Sequence, residues 1–126
     1  MAILQQALDK LALIAGHPTA ARTATGQTSG IDLQAYDGDV VFLLDSAAGS
    51  GTSPTLDVTI EDSADNSSFA AISGAAFTQV TGTASAQKLV INKDSARRYV
   101  RVKYTIGGSS PSFTFSVNAV GVTKYG

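Results

Sequence analysis

Apolar residues recur along this chain at two different spacings. Over the first sixteen positions, MAILQQALDKLALIAG, the residues Leu4, Ala7, Leu8, Leu11, Ile14 and Ala15 return every three or four places, with Gln5, Gln6, Asp9 and Lys10 broadly opposite. That period puts them on one face of a helix. Gly16 followed by His17-Pro18 is the expected stop, since Gly accepts a left-handed conformation and Pro cannot continue the ladder. So short a helix is marginal in water, and its apolar face must rest on its own domain or on another chain.

From Thr19 the texture changes to Thr, Ala, Gly and Ser, and the period drops to two. Ala21 to Gly30 reads as a polar connector or an edge strand, and Tyr36-Asp37-Gly38-Asp39 as a turn. Val40 to Leu44, VVFLL, is apolar on both faces and predicts a central strand with Phe42 buried. Ser46 to Pro54 reads as a flexible loop, and Leu56 to Glu61 as a strand with Leu56, Val58 and Ile60 inward. Short runs follow on either side of a Ser73-Gly74 reversal, then Lys88 to Asn92. Tyr99 to Ile106 and Ser112 to Val122 flank GGSSP and predict a long closing hairpin. On this face pattern Phe113, Phe115 and Val117 are core residues. About eight strands predict an all-β, jelly-roll-like β-sandwich with a short N-terminal helix or arm. The division is residues 1–26 for helix and arm and residues 27–126 for the sandwich.

Composition limits what such a fold can do. A chain of 126 residues with 44% hydrophobic content can bury a single core. With no Cys, disulfides, thiolate chemistry and Cys-based zinc sites are excluded. The net charge of −1 gives no electrostatic drive toward nucleic acid or an anionic membrane. The longest apolar run at the N-terminus is too short to span a bilayer or to serve as a secretory signal core. No nucleic-acid partner, membrane or anchor is therefore expected.

The charges themselves are segregated. No Lys or Arg occurs between Thr23 and Gln87, where Asp32, Asp37, Asp39, Asp45, Asp57, Glu61, Asp62 and Asp65 lie. From Lys88 onward Lys88, Lys93, Arg97, Arg98, Arg101, Lys103 and Lys124 face Asp94 alone. Either neighbouring strands pair acid with base inside one subunit, or the two patches meet head to tail between copies or on a larger partner. The second possibility makes Arg97 and Arg98 interface candidates, beside Leu4, Leu8, Leu11 and Ile14 on the front helix.

Reaction chemistry finds no foothold. His17 is the single His, and without a nucleophile or second ligand it reads as a surface residue. There is no G-x-S-x-G elbow, phosphate loop or H-E-x-x-H motif. Glu61, Asp62, Asp65 and Asn66 offer oxygen ligands for calcium, but their spacing does not match the helix-loop-helix calcium loop, and a solvated turn accounts for them. The expectation is no enzyme, no metal and no cofactor.

Three stretches carry a resemblance: GTSPTLDVTIEDSADNSSF, FTQVTGTASAQKLVINKD and RRYVRVKYTIGGSSPSFTFSVNAVG. Together, over roughly Ile31 to Val122, they resemble small structural proteins of tailed bacteriophages that decorate or cement the head shell. The resemblance implies a sandwich bound to the outside of a capsid, made in the host cytoplasm and carried on the virion. It would bridge neighbouring major capsid protein subunits and perform no reaction. Homo-oligomeric action is expected with it. A tail or baseplate component and a carbohydrate-binding module are the alternatives. The latter needs exposed aromatics on a groove, and the chain has no Trp and only Tyr36, Tyr99, Tyr104 and Tyr125 as Tyr.

Overall fold

A computed structural model describes residues 11–92 and 96–123. Eight strands are present among them: β1 (Leu11–Arg22), β2 (Gly26–Gln27), β3 (Ile31–Asp32), β4 (Tyr36–Ser46), β5 (Ser50–Ser63), β6 (Ala70–Ala76), β7 (Ser85–Asn92) and β8 (Tyr99–Thr123). A single 3-10 turn, Leu33–Ala35, is capped by the Asp32 carboxylate accepting from the Gln34 amide. No helix among these residues is long and apolar enough to cross a membrane.

The 25-residue strand β8 is the spine of the molecule. On one side the chain from β1 to β3 runs antiparallel to it, from the Leu11–Val122 pair to the Asp32–Tyr99 pair. On the other, β4 and β5 do the same, from Tyr36–Thr123 to Ser63–Tyr99. The C-terminal half of β8 belongs to sheet I, in the order β1-β8-β4-β7, and its N-terminal half to sheet II, in the order β2/β3-β8-β5-β6. Between them lies the core. Val40, Phe42, Leu44, Phe115, Val117 and Ala119 face Leu56, Val58, Ile60, Val100, Val102 and Tyr104, with Leu33, Phe77 and Val80 added by the connections. The alternation read in Leu56 to Glu61 is borne out, as is the burial of Phe42, Phe113 and Phe115.

Several expectations are corrected. Leu11 to Gly16 is strand, not helix. The run is also compatible with period two, and pairing with β8 satisfies its backbone and buries Ile14, whereas an isolated short helix gains little. Gly16 is not a helix stop. It lets two backbones approach, because a Cβ there would lie 2.6 Å from the Val117 carbonyl oxygen. Leu4 and Leu8 lie outside the described residues. The loop expected over Ser46 to Pro54 shrinks to residues 47–49, held by Ala47 N–H on Thr114 O and Gly49 N–H on Thr81 O. Ser73-Gly74 lies inside β6 as a bulge, since five residue steps on β6 oppose two on β5. The Tyr36–Asp39 turn is likewise a bulge in β4.

The largest correction concerns GGSSP. The chain does not reverse there; β8 passes straight through and bends from sheet II into sheet I. The turn chemistry is real but serves a paired bend. Gly108 (φ +111°) and Ser110 (φ +48°) lie opposite Gly51 (φ +106°) and Ser53 (φ +50°), where the β5–β8 register slips twice. Bulges at this point increase local twist and turn a corner between layers. A Cβ on Gly108 would sit 2.7 Å from the Ser53 carbonyl oxygen. Gly108→Val is therefore expected to cost about 2 to 4 kcal/mol, combining an unfavourable φ for a β-branched residue with backbone crowding. Urea denaturation checks it, and a loss below about 0.5 kcal/mol would contradict the bend geometry.

Candidate interaction surface

The segregated charges meet inside the chain. Arg97 grips Asp62 through Nε (3.1 Å), Nη2 (2.9 Å) and its backbone N–H (3.0 Å), and Nη2 also donates to the Asp62 carbonyl. Arg98 donates from Nε and Nη2 to the two carboxylate oxygens of Asp32, and Arg101 donates from Nε to Glu61 at 2.7 Å. Arg98 and Arg101 also lie over the rings of Tyr99 and Phe69. Burial pushes the Asp62 carboxyl up, but the hydrogen bonds and charge of Arg97 outweigh it and hold the group below its ordinary value. Antiparallel pairing of β5 with β8 places acid opposite base, as in Glu61–Arg101.

The residues weighed for calcium are turned to other tasks. Glu61 and Asp62 serve the arginines. The Asp65 carboxylate accepts from the Ser68 and Ser67 amides and the Ser63 hydroxyl, which lowers it to about 2. This is an Asx-type cap of the turn after β5. Among the described residues no group of three or more His, Cys, Asp or Glu side chains gathers as a metal ion would need.

The two outer faces of the sandwich differ in chemistry. On sheet II the outward positions of β5 and β8 include Asp57, Glu61, Arg101 and Lys103 among threonines. On sheet I they are mixed: Leu13, Val41, Leu43, Val90, Val120 and Val122 lie among Asp45, Lys88, Ser116 and Asn118. Register pairs Leu13 with Val120, Val120 with Val41 and Val41 with Val90, one residue from each of four strands in a single row. Leu13 is 75% exposed, Val90 50%, and Leu43, one outward step along β4, 40%. Val41, Val120 and Val122 are half-buried. Asp45 and Lys88 border the row. At the usual strand spacing the row runs about 14 Å across the sheet. Leu13, Val120, Val41 and Val90 are thus adjacent apolar residues on a face that no other described strand covers.

Of the residues singled out beforehand, Ile14 packs in the core, and Leu11 starts β1 beside Val122. Arg97 and Arg98 stand at the entry to β8 with their guanidinium groups on Asp62 and Asp32. His17 is not a surface residue: it is 1% exposed, stacked on Phe115 with ring centroids 4.2 Å apart. The row itself escaped the sequence reading, although VVFLL carried its signal. Apolar residues on both faces of a strand predict burial on both sides. In an antiparallel sheet with one open face they mark an exposed apolar face instead.

No protein-family model matches the sequence, and no curated protein matches it. Similarity is found among solved structures. The PBSX exported protein XepA superposes with a TM-score of 0.61 at 19% identity, over 92% of this chain and 38% of XepA. The VP2 subviral particle of infectious bursal disease virus gives 0.58 at 15% identity, over 90% of this chain and 32% of that one. The CBM22-1 xylan-binding domain of Xyn10C from Paenibacillus barcinonensis gives 0.50 at 12% identity, over 92% and 87%. The chain spans about a third of the length of the first two. These likenesses establish the class: an all-β, jelly-roll-like sandwich. The same fold occurs in the VP2 subviral particle of a virus, an exported protein and a xylan-binding domain.

Proposed function

We propose that this chain is a structural virion protein that binds the outside of a phage capsid and cements or decorates neighbouring major capsid subunits. The observation that carries the reading is the apolar row Leu13–Val120–Val41–Val90 on the outer face of sheet I, borne on the adjacent strands β1, β8, β4 and β7. A single row of this size, about 14 Å by about 7 Å and so on the order of 100 Å² from the strand spacing, is well below the roughly 800 Å² per partner of a stable complex. Attachment through such a face gains strength when it is repeated, as on a capsid lattice or in a homo-oligomer presenting several copies at once. The resemblance to head decoration proteins supports the same role. On this reading the protein catalyses nothing and takes no cofactor.

The reading is tested on purified capsid shells. Leu13→Asp combined with Val90→Asp is expected to leave circular dichroism and the melting temperature nearly unchanged, because both side chains are exposed. Shell occupancy measured by sedimentation should fall at least about 100-fold, as each buried carboxylate would be desolvated without a partner. Raising salt should change native binding little, since apolar contacts are not screened. Undiminished occupancy by the folded double variant would overturn the assignment of this face.

A further inference from the structure

His17 sits where β1 is least regular. The β1–β8 register slips between Ala15 and His17 and again between His17 and Ala20, and β1 pairs with β8 alone among the described strands. Its imidazole lies between the parallel ring of Phe115 and the edge-on ring of Tyr104, whose centroid is 5.2 Å away. Nε2 accepts a hydrogen bond from Nε of Arg22 at 2.9 Å. Because Arg22 cannot accept, this bond requires a neutral ring with its proton on Nδ1. Nδ1 is itself buried without a well-formed hydrogen bond.

We propose that His17 and Arg22 form an acid-sensitive latch, in which protonation of His17 frees residues 17–22 of β1 from β8. A proton arriving on Nε2 breaks the Arg22 bond and leaves a buried imidazolium, stacked on Phe115, beside the guanidinium of the solvent-exposed Arg22. The groups facing His17 are Arg22 from β1 and Tyr104 and Phe115 from β8, and no carboxylate is among the influences on it. Nothing there can neutralise the added charge. Burial, and then the Arg22 charge, lower the His17 pKa from its ordinary 6.5, against a smaller opposing pull from the Phe115 and His17 backbone. The sign follows: a depressed value means the neutral folded form is fully stabilised above pH 6.5, and the stabilisation fades as pH falls from there through the folded value. The strain falls on β1, since it carries both cations and lies at the sheet edge. The inference is independent of the capsid reading.

The test is direct because His17 is the sole His and its ring resonance needs no assignment by mutation. The NMR titration midpoint is expected below 6.5. Hydrogen-exchange protection of amides 17 and 19–22, corrected for intrinsic rates, should fall at least tenfold through the same midpoint, while amides 56–62 of β5 keep theirs. His17→Gln should abolish the pH dependence of β1 protection. Arg22→Gln should move the His17 midpoint upward and serves as the independent check if His17→Gln does not fold. A midpoint at or above 6.5, or β1 protection unchanged across it, would overturn the latch. So would identical acid loosening in a folded His17→Gln variant.

Discussion

Phe42→Ala is expected to lower unfolding free energy by about 3 to 5 kcal/mol, the usual cost of deleting a fully buried Phe with partial collapse of the cavity. Phe42 is 0% exposed and lies on β4 between β8 and β7, opposite Ala119 on one side and Leu89 on the other. Against a total stability on the order of 5 to 15 kcal/mol, the loss would be a large fraction. Leu43→Ala is the built-in control. Its side chain points to the opposite face and is 40% exposed, so its cost should stay near or below about 1 kcal/mol. Urea midpoints at constant m-value measure both. Equal losses for the two would mean that the outer face of sheet I is covered, contradicting both the alternation and the proposed surface.

The second large effect is expected at the Asp62–Arg97 lock, which ties the end of β5 to the entry of β8. Arg97→Ala leaves the Asp62 carboxylate, largely buried, without two of its hydrogen bonds. The backbone N–H of residue 97 remains, and Arg97 is about half exposed, so the cost of a broken buried pair is reduced by solvent to about 2 to 3 kcal/mol. Arg97→Glu should cost more, because it sets two carboxylates together. The pH dependence has a definite sign. Asp62 is depressed below its ordinary 3.8, so the lock contributes fully above that value and is lost as pH falls through the folded one. Denaturation at pH 7 and pH 2.5 should therefore show the penalty of Arg97→Ala shrinking in acid. A penalty independent of pH would assign the role of Arg97 to packing of its stem rather than to its charge.

The same lock shows why charge segregation along a sequence is an ambiguous signal. An acidic segment followed by a basic one would be complementary between copies if the two were far apart in the fold. Here β5 and β8 run antiparallel in register, which brings Glu61 to Arg101 and Asp62 to the start of β8. Arg97, Arg98 and Arg101 are thereby paired with Asp62, Asp32 and Glu61 of the same chain.

What the sequence alone determined was local: strand content, the inward set Leu56, Val58, Ile60, Phe113, Phe115 and Val117, and the absence of thiol, phosphate-loop or nucleophile-elbow motifs. Side-chain alternation has a fixed period, so burial on one face is legible from neighbours in the chain. What tertiary structure decided was every choice between two locally acceptable conformations. LALIA fits helix and strand alike, and only the waiting edge of β8 selected the strand. GGSSP fits a reversal or a bulged bend, and the facing bulge at Gly51 to Ser53 selected the bend. His17 reads as polar and exposed until Phe115 and Tyr104, nearly a hundred residues away, close over it. VVFLL carries apolar side chains on both faces, and only the layer count shows that one of the two faces is open. In each case the deciding free energy comes from pairing and burial against residues distant in sequence, which no local pattern contains.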